Sequence, residues 1–136
     1  MDLNTYLMFD GTCEAAFKFY EKVLGGKIVA MMTYAEMPGS TPMSDNAKKW
    51  IMHARLQFGD KLLMASDAPP DRFEAPKGFN VMLGVKDPAE AERLFDALAA
   101  GGTIKMPIQG TFWAERFGML VDQFGVPWMI NCDKVA

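Results

Sequence analysis

Residues 9–28 read FDGTCEAAFKFYEKVLGGKI, an order that predicts the end of a strand, a helix and the start of the next strand. Asp10-Gly11 interrupts a short strand over residues 2–9, and Thr12 stands at the N-cap position of the helix. The apolar side chains of the helix recur at helical spacing and form one stripe: Ala16, Phe17, Tyr20, Val23 and Leu24. Gly25-Gly26 ends the helix, because glycine readily takes the left-handed conformation that follows a helix.

The following residues extend this helix into a larger unit. Residues 27–36 are β-rich, and residues 37–46 have the composition of a loop. Residues 50–58, WIMHARLQF, alternate between two faces, which predicts a half-buried strand. The face expected toward the helix contains Trp50, Met52, Ala54, Leu56 and Phe58, and the other contains Ile51, His53, Arg55 and Gln57. Gly59-Asp60 predicts a tight hairpin, with a return strand over residues 61–66.

The second half of the chain repeats this plan after a proline-rich loop at residues 67–78. A strand at 79–85 leads into a helix that Asp87 caps, with Pro88 at its first position and Glu90 completing a capping-box-like pattern. The helix has its own apolar stripe and is followed by three strand-like runs: Ala91, Leu94, Phe95 and Leu98, then residues 103–109, 115–122 and 126–131. The order of elements is therefore the same in both halves.

Matching residues support an internal duplication. Gly-Gly-Lys-Ile at 25–28 corresponds to Gly-Gly-Thr-Ile at 101–104, and Phe19 falls on Phe95 at the same spacing. A βαβββ unit cannot bury both faces of its own sheet, so two such units are expected to pack together around a cavity. We therefore predict an α+β fold with two βαβββ modules, which form a barrel-like pair of curved mixed sheets with helices outside.

The length of 136 residues suits a single domain. We expect this domain to span residues 1–136, with module one at about 1–70 and module two at about 76–133.

Composition argues against two classes of partner. The net charge is −3 and no cluster of Lys and Arg is present, which argues against nucleic-acid binding. No stretch approaches the roughly 20 apolar residues of a membrane helix. The N-terminal residues show no basic segment followed by a long apolar run, so we expect a cytoplasmic protein whose Cys13 and Cys132 are reduced thiols.

Two segments carry a family resemblance. Residues 9–28 resemble the opening of vicinal-oxygen-chelate proteins, whose first helix has the signature A..FY..VLG. Residues 111–131, TFWAERFGMLVDQFGVPWMIN, resemble the W....G...D.FG..W ending of the PhnB-like branch. The chain is thus similar to the glyoxalase/bleomycin-resistance (vicinal-oxygen-chelate) superfamily over nearly its whole length. The resemblance implies a small-molecule cavity and a homodimer.

The resemblance also implies where a metal ion would bind. Metal-dependent members place His, Glu or Gln ligands on the first and fourth strands of each module, and these positions fall on Thr5, Met64, Asn80 and Met129. None of the four is a histidine or a carboxylate, and a thioether suits soft Cu(I) rather than hard or borderline ions. We therefore predict no metal site and assign these four residues to ligand binding.

No cofactor is expected either. Members of the PhnB-like branch are often labelled demethylubiquinone methyltransferases, but a nucleotide-type cofactor loop is a glycine-rich turn that precedes a helix. Gly25-Gly26 and Gly101-Gly102 follow helices instead.

Three further residues complete the candidate site. His53 is the only histidine and is the candidate catalytic residue, a general base beside an Arg55 that holds an anionic ligand. The alternative is that these two side chains form a solvated or structurally satisfied pair. Trp113, next to Phe112, is a candidate pocket wall that stacks on a planar ligand, or else an aromatic contact in the core or a dimer.

Three hypotheses about function follow. The first is a metal-free protein that binds a small, partly apolar, anionic molecule. The second is a lyase or isomerase that acts through His53 or through a metal whose ligands the sequence does not reveal. The third is a structural or regulatory protein whose cavity is vestigial. Ligand binding without turnover would favour the first, and a cavity closed by side chains would favour the third.

Overall fold

The computed structural model describes residues 1–36, 45–69 and 71–134, and only the backbone of Asp45 and Asn46. The chain divides into two compact units, Met1–Glu74 and Ala75–Ala136. The first unit contains β1 (Thr5–Phe9), α1 (Cys13–Leu24), β2 (Lys27–Thr33), a 3₁₀ turn (Tyr34–Glu36), α2 (Asp45–Lys48), β3 (Ile51–Phe58) and β4 (Lys61–Asp67). The second contains β5 (Val81–Val85), α3 (Pro88–Ala99), β6 (Thr103–Gln109), β7 (Ala114–Val121) and β8 (Pro127–Asp133).

The two units have the same sheet topology. The first sheet has the strand order β1-β4-β3-β2, and the second has β5-β8-β7-β6. In each sheet the first and last strands of the unit pair in parallel, and the other pairings are antiparallel. The predicted α+β fold with two βαβββ modules is confirmed by this strand-for-strand repetition.

One helix covers one face of each sheet. In the first unit, the buried stripe of α1 packs on strand residues that alternate toward it: Leu7, Phe9, Ala54, Leu56, Leu63 and Ala65. The opposite side, which we call the helix-free face, is formed by the intervening residues: Tyr6, Met8, Ala30, Met32, His53, Arg55, Gln57, Leu62, Met64 and Ser66. The predicted separation of Ala54 and Leu56 from His53 and Arg55 is therefore confirmed.

The prediction is wrong at the start of β3. Ile51 was expected on the polar face, but its side chain is only 2% exposed. The register of β2 against β3 shifts between Met32 and Thr33, and this irregularity breaks the alternation. Trp50 precedes the strand instead of beginning it, and its indole ring packs beside Gly11.

The caps of the two helices differ from each other. Thr12 is at the N-cap position of α1, but its side chain makes no capping hydrogen bond. The Cys13 backbone N–H donates instead to Oδ1 of Asp67, at the end of β4. In α3 the predicted cap is confirmed, because Asp87 accepts from the Ala89 N–H. The carboxylate of Glu90 does not complete a capping box but accepts from Arg93 with both oxygens.

The burial of the helices corrects one matched pair of the duplication. Tyr20 of α1 and Phe95 of α3 are both buried, whereas Phe19 is half-buried. Tyr20 is therefore the counterpart of Phe95, and the predicted match of Phe19 with Phe95 is wrong. The second helix has one additional residue, Ala100, before the glycine in left-handed conformation, Gly101.

Other element boundaries shift by a few residues. The first strand begins at Thr5 rather than residue 2, and the strand predicted at 79–85 begins at Val81. Residues 37–44 of the predicted loop lie outside the described residues, and Asp45–Lys48 forms a short helix. Within the described part of the chain, no helix combines the length and apolarity needed to cross a bilayer.

Candidate functional site

A row of four side chains crosses the helix-free face of the first sheet. Tyr6 is in register with Met64, Met64 with Arg55, and Arg55 with Ala30, so one residue from each strand contributes. Residues directly opposite one another on paired strands point to the same face. We call Tyr6, Met64, Arg55 and Ala30 the first row.

His53 and Tyr6 form a polar pair beside this row. The Tyr6 hydroxyl and His53 Nδ1 are hydrogen-bonded at 3.1 Å, and the rings stack with centroids 5.8 Å apart. The Ser66 hydroxyl donates to the Met8 sulfur at 3.4 Å on the same face. The tyrosine contact restrains the orientation of the imidazole, as a general base requires.

A cleft of about 530 Å³ adjoins the first row. Acidic, basic, amide and apolar side chains line this cleft: Asp2, Asn4, Val29, Ala30, Arg55, Gln57, Asp60, Lys61 and Leu62. Within the lining, Lys61 Nζ lies 3.8 Å from Oδ1 of the adjacent Asp60. Arg55 is exposed, and no carboxylate among the described residues lies within ion-pair distance of its guanidinium. The cleft therefore presents a guanidinium without an ion-pair partner among the described residues, with the carboxylates of Asp2 and Asp60 elsewhere in its lining.

The second sheet has a corresponding row of different chemistry. Met82, Met129, Met119 and Met106 are in register across β5, β8, β7 and β6. They occupy the topological positions that Tyr6, Met64, Arg55 and Ala30 occupy in the first sheet. We call these four methionines the second row.

Aromatic side chains precede β7. Trp113 is 49% exposed, with its ring centroid 4.8 Å from that of Phe112 and 5.5 Å from that of Phe117. The Thr111 hydroxyl accepts from the backbone N–H groups of Trp113 and Ala114, which holds the turn before the strand. Trp113 is therefore exposed enough to contact a ligand, as its predicted role requires.

The structure brings together only some of the residues predicted for the site. His53, Arg55 and Met64 share the helix-free face of the first sheet. Thr5 does not join them, because its partner Leu63 is buried on the helix side of that sheet. Asn80 is half-buried and precedes β5.

Sequence reasoning also missed Tyr6, which takes the position beside Met64 that was assigned to Thr5. The signal was present in the segment Thr5–Phe9. Its apolar Leu7 and Phe9 mark the helix side and so place Tyr6 and Met8 on the other.

The residues at the family's metal positions do not fit a divalent ion. On the parallel strand pairs, Tyr6 is in register with Met64, and Met82, not the predicted Asn80, is in register with Met129. These four side chains are a phenol and three thioethers. Hard and borderline ions take imidazole or carboxylate ligands instead. Among the residues that the structure describes, no group of three or more His, Cys, Asp and Glu side chains could hold a metal ion.

The cysteines are poor candidates for a nucleophile. Both Cys13 and Cys132 are free and buried. Burial, followed by the nearby charge of Asp67, raises the pKa of the Cys13 thiol far above its usual value. Burial likewise raises the pKa of Cys132, so neither side chain supplies a thiolate near neutral pH.

Comparisons with known proteins agree with this architecture. The family model of the Glyoxalase/Bleomycin resistance protein/Dioxygenase superfamily matches residues 2–130. Protein YjdN of Escherichia coli (strain K12) is 38% identical over 98% of this chain and 97% of its own length. The crystal structure of protein PA1353 from Pseudomonas aeruginosa is 46% identical, with a TM-score of 0.91 over 99% of each chain.

A PhnB protein from Bacillus cereus shares the fold. Its structure has a TM-score of 0.79 at 24% identity, over 97% of this chain and 99% of that one. The family match covers nearly the whole chain, and the two relatives are similar to it over almost their full lengths. The chain therefore belongs to the glyoxalase/bleomycin resistance protein/dioxygenase superfamily.

Proposed function

We propose that this protein binds a small, partly apolar, anionic molecule on the helix-free face of its first sheet, without a catalytic divalent metal or other cofactor. The observation that carries the proposal is Arg55, an exposed guanidinium without a described carboxylate partner, at the edge of a 530 Å³ cleft. Arginine holds carboxylates and phosphates with two parallel hydrogen bonds.

The surroundings of Arg55 suit a ligand with an apolar part. Val29, Ala30 and Leu62 line the cleft, and Met64 lies next to Arg55 in the first row. The cleft volume falls within the range of about 300–1,000 Å³ typical of small-molecule sites. On the second sheet, taken by itself, we also propose Trp113 and Met129 as ligand contacts, and the family resemblance implies a homodimer.

Replacing Arg55 is expected to remove selectivity for anions. Thermal-shift measurements would compare a series of small carboxylates and phosphonates with their neutral amide counterparts. We expect acids to raise the Tm of the wild-type protein more than the amides do. Arg55→Ala should weaken binding of the best acid by about 10- to 100-fold, the loss expected for a charged hydrogen-bond partner.

The matched control for this experiment is Arg116→Ala. The Arg116 side chain donates to Glu92 at 3.0 Å and so already has an anionic partner. This variant should bind the same acid with unchanged affinity. Equal stabilisation by acids and amides, or unchanged affinity in Arg55→Ala, would refute the anionic-ligand proposal.

A second candidate function is a lyase or isomerase, and the hydrogen bond between Tyr6 and His53 favours it. A tyrosine contact holds one imidazole nitrogen, and the other is then available to exchange a proton with a bound molecule. An Arg55 that holds the acid group would present the remainder of the ligand to this pair.

For the enzyme hypothesis, we expect His53→Gln to lower turnover by about 10²- to 10⁴-fold while ligand affinity changes little. The measurement is turnover of each stabilising acid, followed by NMR, beside its affinity. A rate that survives in His53→Gln would rule out this residue as the base. Near-stoichiometric zinc, nickel, iron or manganese in protein purified without a metal-affinity tag would instead indicate a metal-dependent enzyme.

A further inference from the structure

Four thioethers lie side by side in the second row. Met82, Met129, Met119 and Met106 are in register on four adjacent strands. Opposed residues in antiparallel strands have Cα atoms about 4.5–5.5 Å apart, and paired strands in general lie about 4.7–4.9 Å apart. Because methionine has three rotatable side-chain bonds, the sulfur atoms of neighbouring strands can reach a common point between them.

The methionines are confined to one side of this sheet. On the helix side, the same two central strands carry Leu120, Trp128 and Ile130, all buried. On the helix-free side, they carry Met119 and Met129 in register. Branched aliphatic side chains would supply apolar surface on either face of the sheet. Apolar character alone therefore does not explain why methionine occurs on the helix-free face.

The two modules have the same strand topology but different side chains in this row. The first row has a single methionine, Met64, whose neighbours in register are Tyr6 and Arg55. In the second row every in-register neighbour of a methionine is another methionine. Among the described residues, directly opposed methionines therefore occur only in the second sheet.

The row also has open space beside it. Gly84 is two residues from Met82 on the same strand and face, opposite Asn131. A Cβ atom added to Gly84 would meet nothing within 4 Å. Met82 itself is 58% exposed, so a small solute can reach at least one sulfur from solvent.

From these observations we propose that the second row binds a soft monovalent cation of the Cu(I) class through neighbouring methionine thioethers. Thioether sulfur is a poor ligand for hard and borderline ions and a good ligand for Cu(I). This site shares Met129 with the contacts proposed for the anionic ligand, but it does not involve Arg55 and does not depend on the anion proposal. Because thioethers do not titrate, the affinity should be independent of pH between about 5 and 8, unlike that of a site built from histidine or thiolate.

The test uses Ag(I), a redox-inert ion of the same class, with the full chain labelled with ¹³C at its methionine methyl groups. We expect the methyl signals of Met82, Met129 and Met119 to shift and saturate at one equivalent, at pH 5.5 and at pH 7.5 alike. Met129→Leu removes one of the two sulfur atoms that have a methionine neighbour on both sides, and it should weaken Ag(I) binding by about tenfold or more.

The matched control is Met64→Leu, which changes the corresponding position of the first row, where no second thioether is in register. It should leave the Ag(I) affinity unchanged. Circular dichroism and Tm establish that both variants are folded before the titrations are compared. Methyl signals of the second row that do not move at one equivalent would overturn the proposal, as would unchanged affinity in Met129→Leu or an affinity that falls with pH.

Discussion

Asp67→Ala is expected to destabilise the protein by about 3 kcal/mol, because it leaves two buried backbone N–H groups without an acceptor. Asp67 is 1% exposed. Its Oδ1 accepts from the Cys13 N–H at 3.0 Å, and its Oδ2 accepts from the Ile51 N–H at 2.8 Å. One carboxylate therefore caps the N-terminus of α1 and supports the start of β3, where its charge also interacts favourably with the helix dipole.

The measurement is thermal and urea unfolding of wild type, Asp67→Ala and Asp67→Asn. A loss of 3 kcal/mol corresponds to a Tm lower by about 10 °C for a chain of this size. The asparagine variant keeps one acceptor oxygen and should fall between the other two. Asp60→Ala is the control, since the Asp60 side chain is 90% exposed in the hairpin, and we expect it to change stability by less than about 0.5 kcal/mol. If Asp67→Ala unfolds like this control, the carboxylate is not a structural cap.

The helix order and strand faces could be predicted because their signals are local. The alternation in residues 50–58 separates Ala54 and Leu56 from His53 and Arg55, and the structure confirms this separation. The cap of α1 could not be predicted in this way. Asp67 accepts a hydrogen bond from the backbone N–H of Cys13, which lies 54 residues away in the sequence, so no local pattern connects the two residues.

The same distinction explains what was found and missed at the candidate site. His53 and Arg55 share one strand, so their common face follows from spacing alone. The face of Tyr6 likewise follows from Leu7 and Phe9 on its own strand, but its place beside Met64 needs the register of β1 against β4. The second row likewise depends on three separate registers, although all four methionines are visible in the sequence.

The Gly-Gly pair after the second helix also illustrates a limit of local reasoning. Gly101 has a φ of 76°, the left-handed conformation expected where a helix stops. Gly102 has a different role, which comes from packing against the hairpin of β7 and β8. A Cβ atom added there would lie 2.2 Å from the carbonyl oxygen of Val121 and 2.9 Å from the Asp122 carbonyl carbon.

Gly102→Ala is therefore expected to cost about 3 kcal/mol or more, because the clashing atoms are backbone and cannot move without disturbing the pairing of β6 with β7. Gly26, at the corresponding place in the first module, would bring a Cβ atom to 2.8 Å from the Gln57 carbonyl oxygen. The overlap is smaller, so Gly26→Ala should destabilise less. Urea unfolding of the two variants measures this order directly.

Gly84→Ala is the control, since a new Cβ atom there has nothing within 4 Å. In a strand interior, alanine restricts the unfolded chain more than glycine does, so we expect stability to stay the same or rise by up to about 1 kcal/mol. The order Gly84→Ala, Gly26→Ala, Gly102→Ala, from most to least stable, would show that the second glycine of each pair is required for close backbone approach. A Gly102→Ala variant as stable as Gly84→Ala would contradict this and leave only the helix-stop role of Gly101.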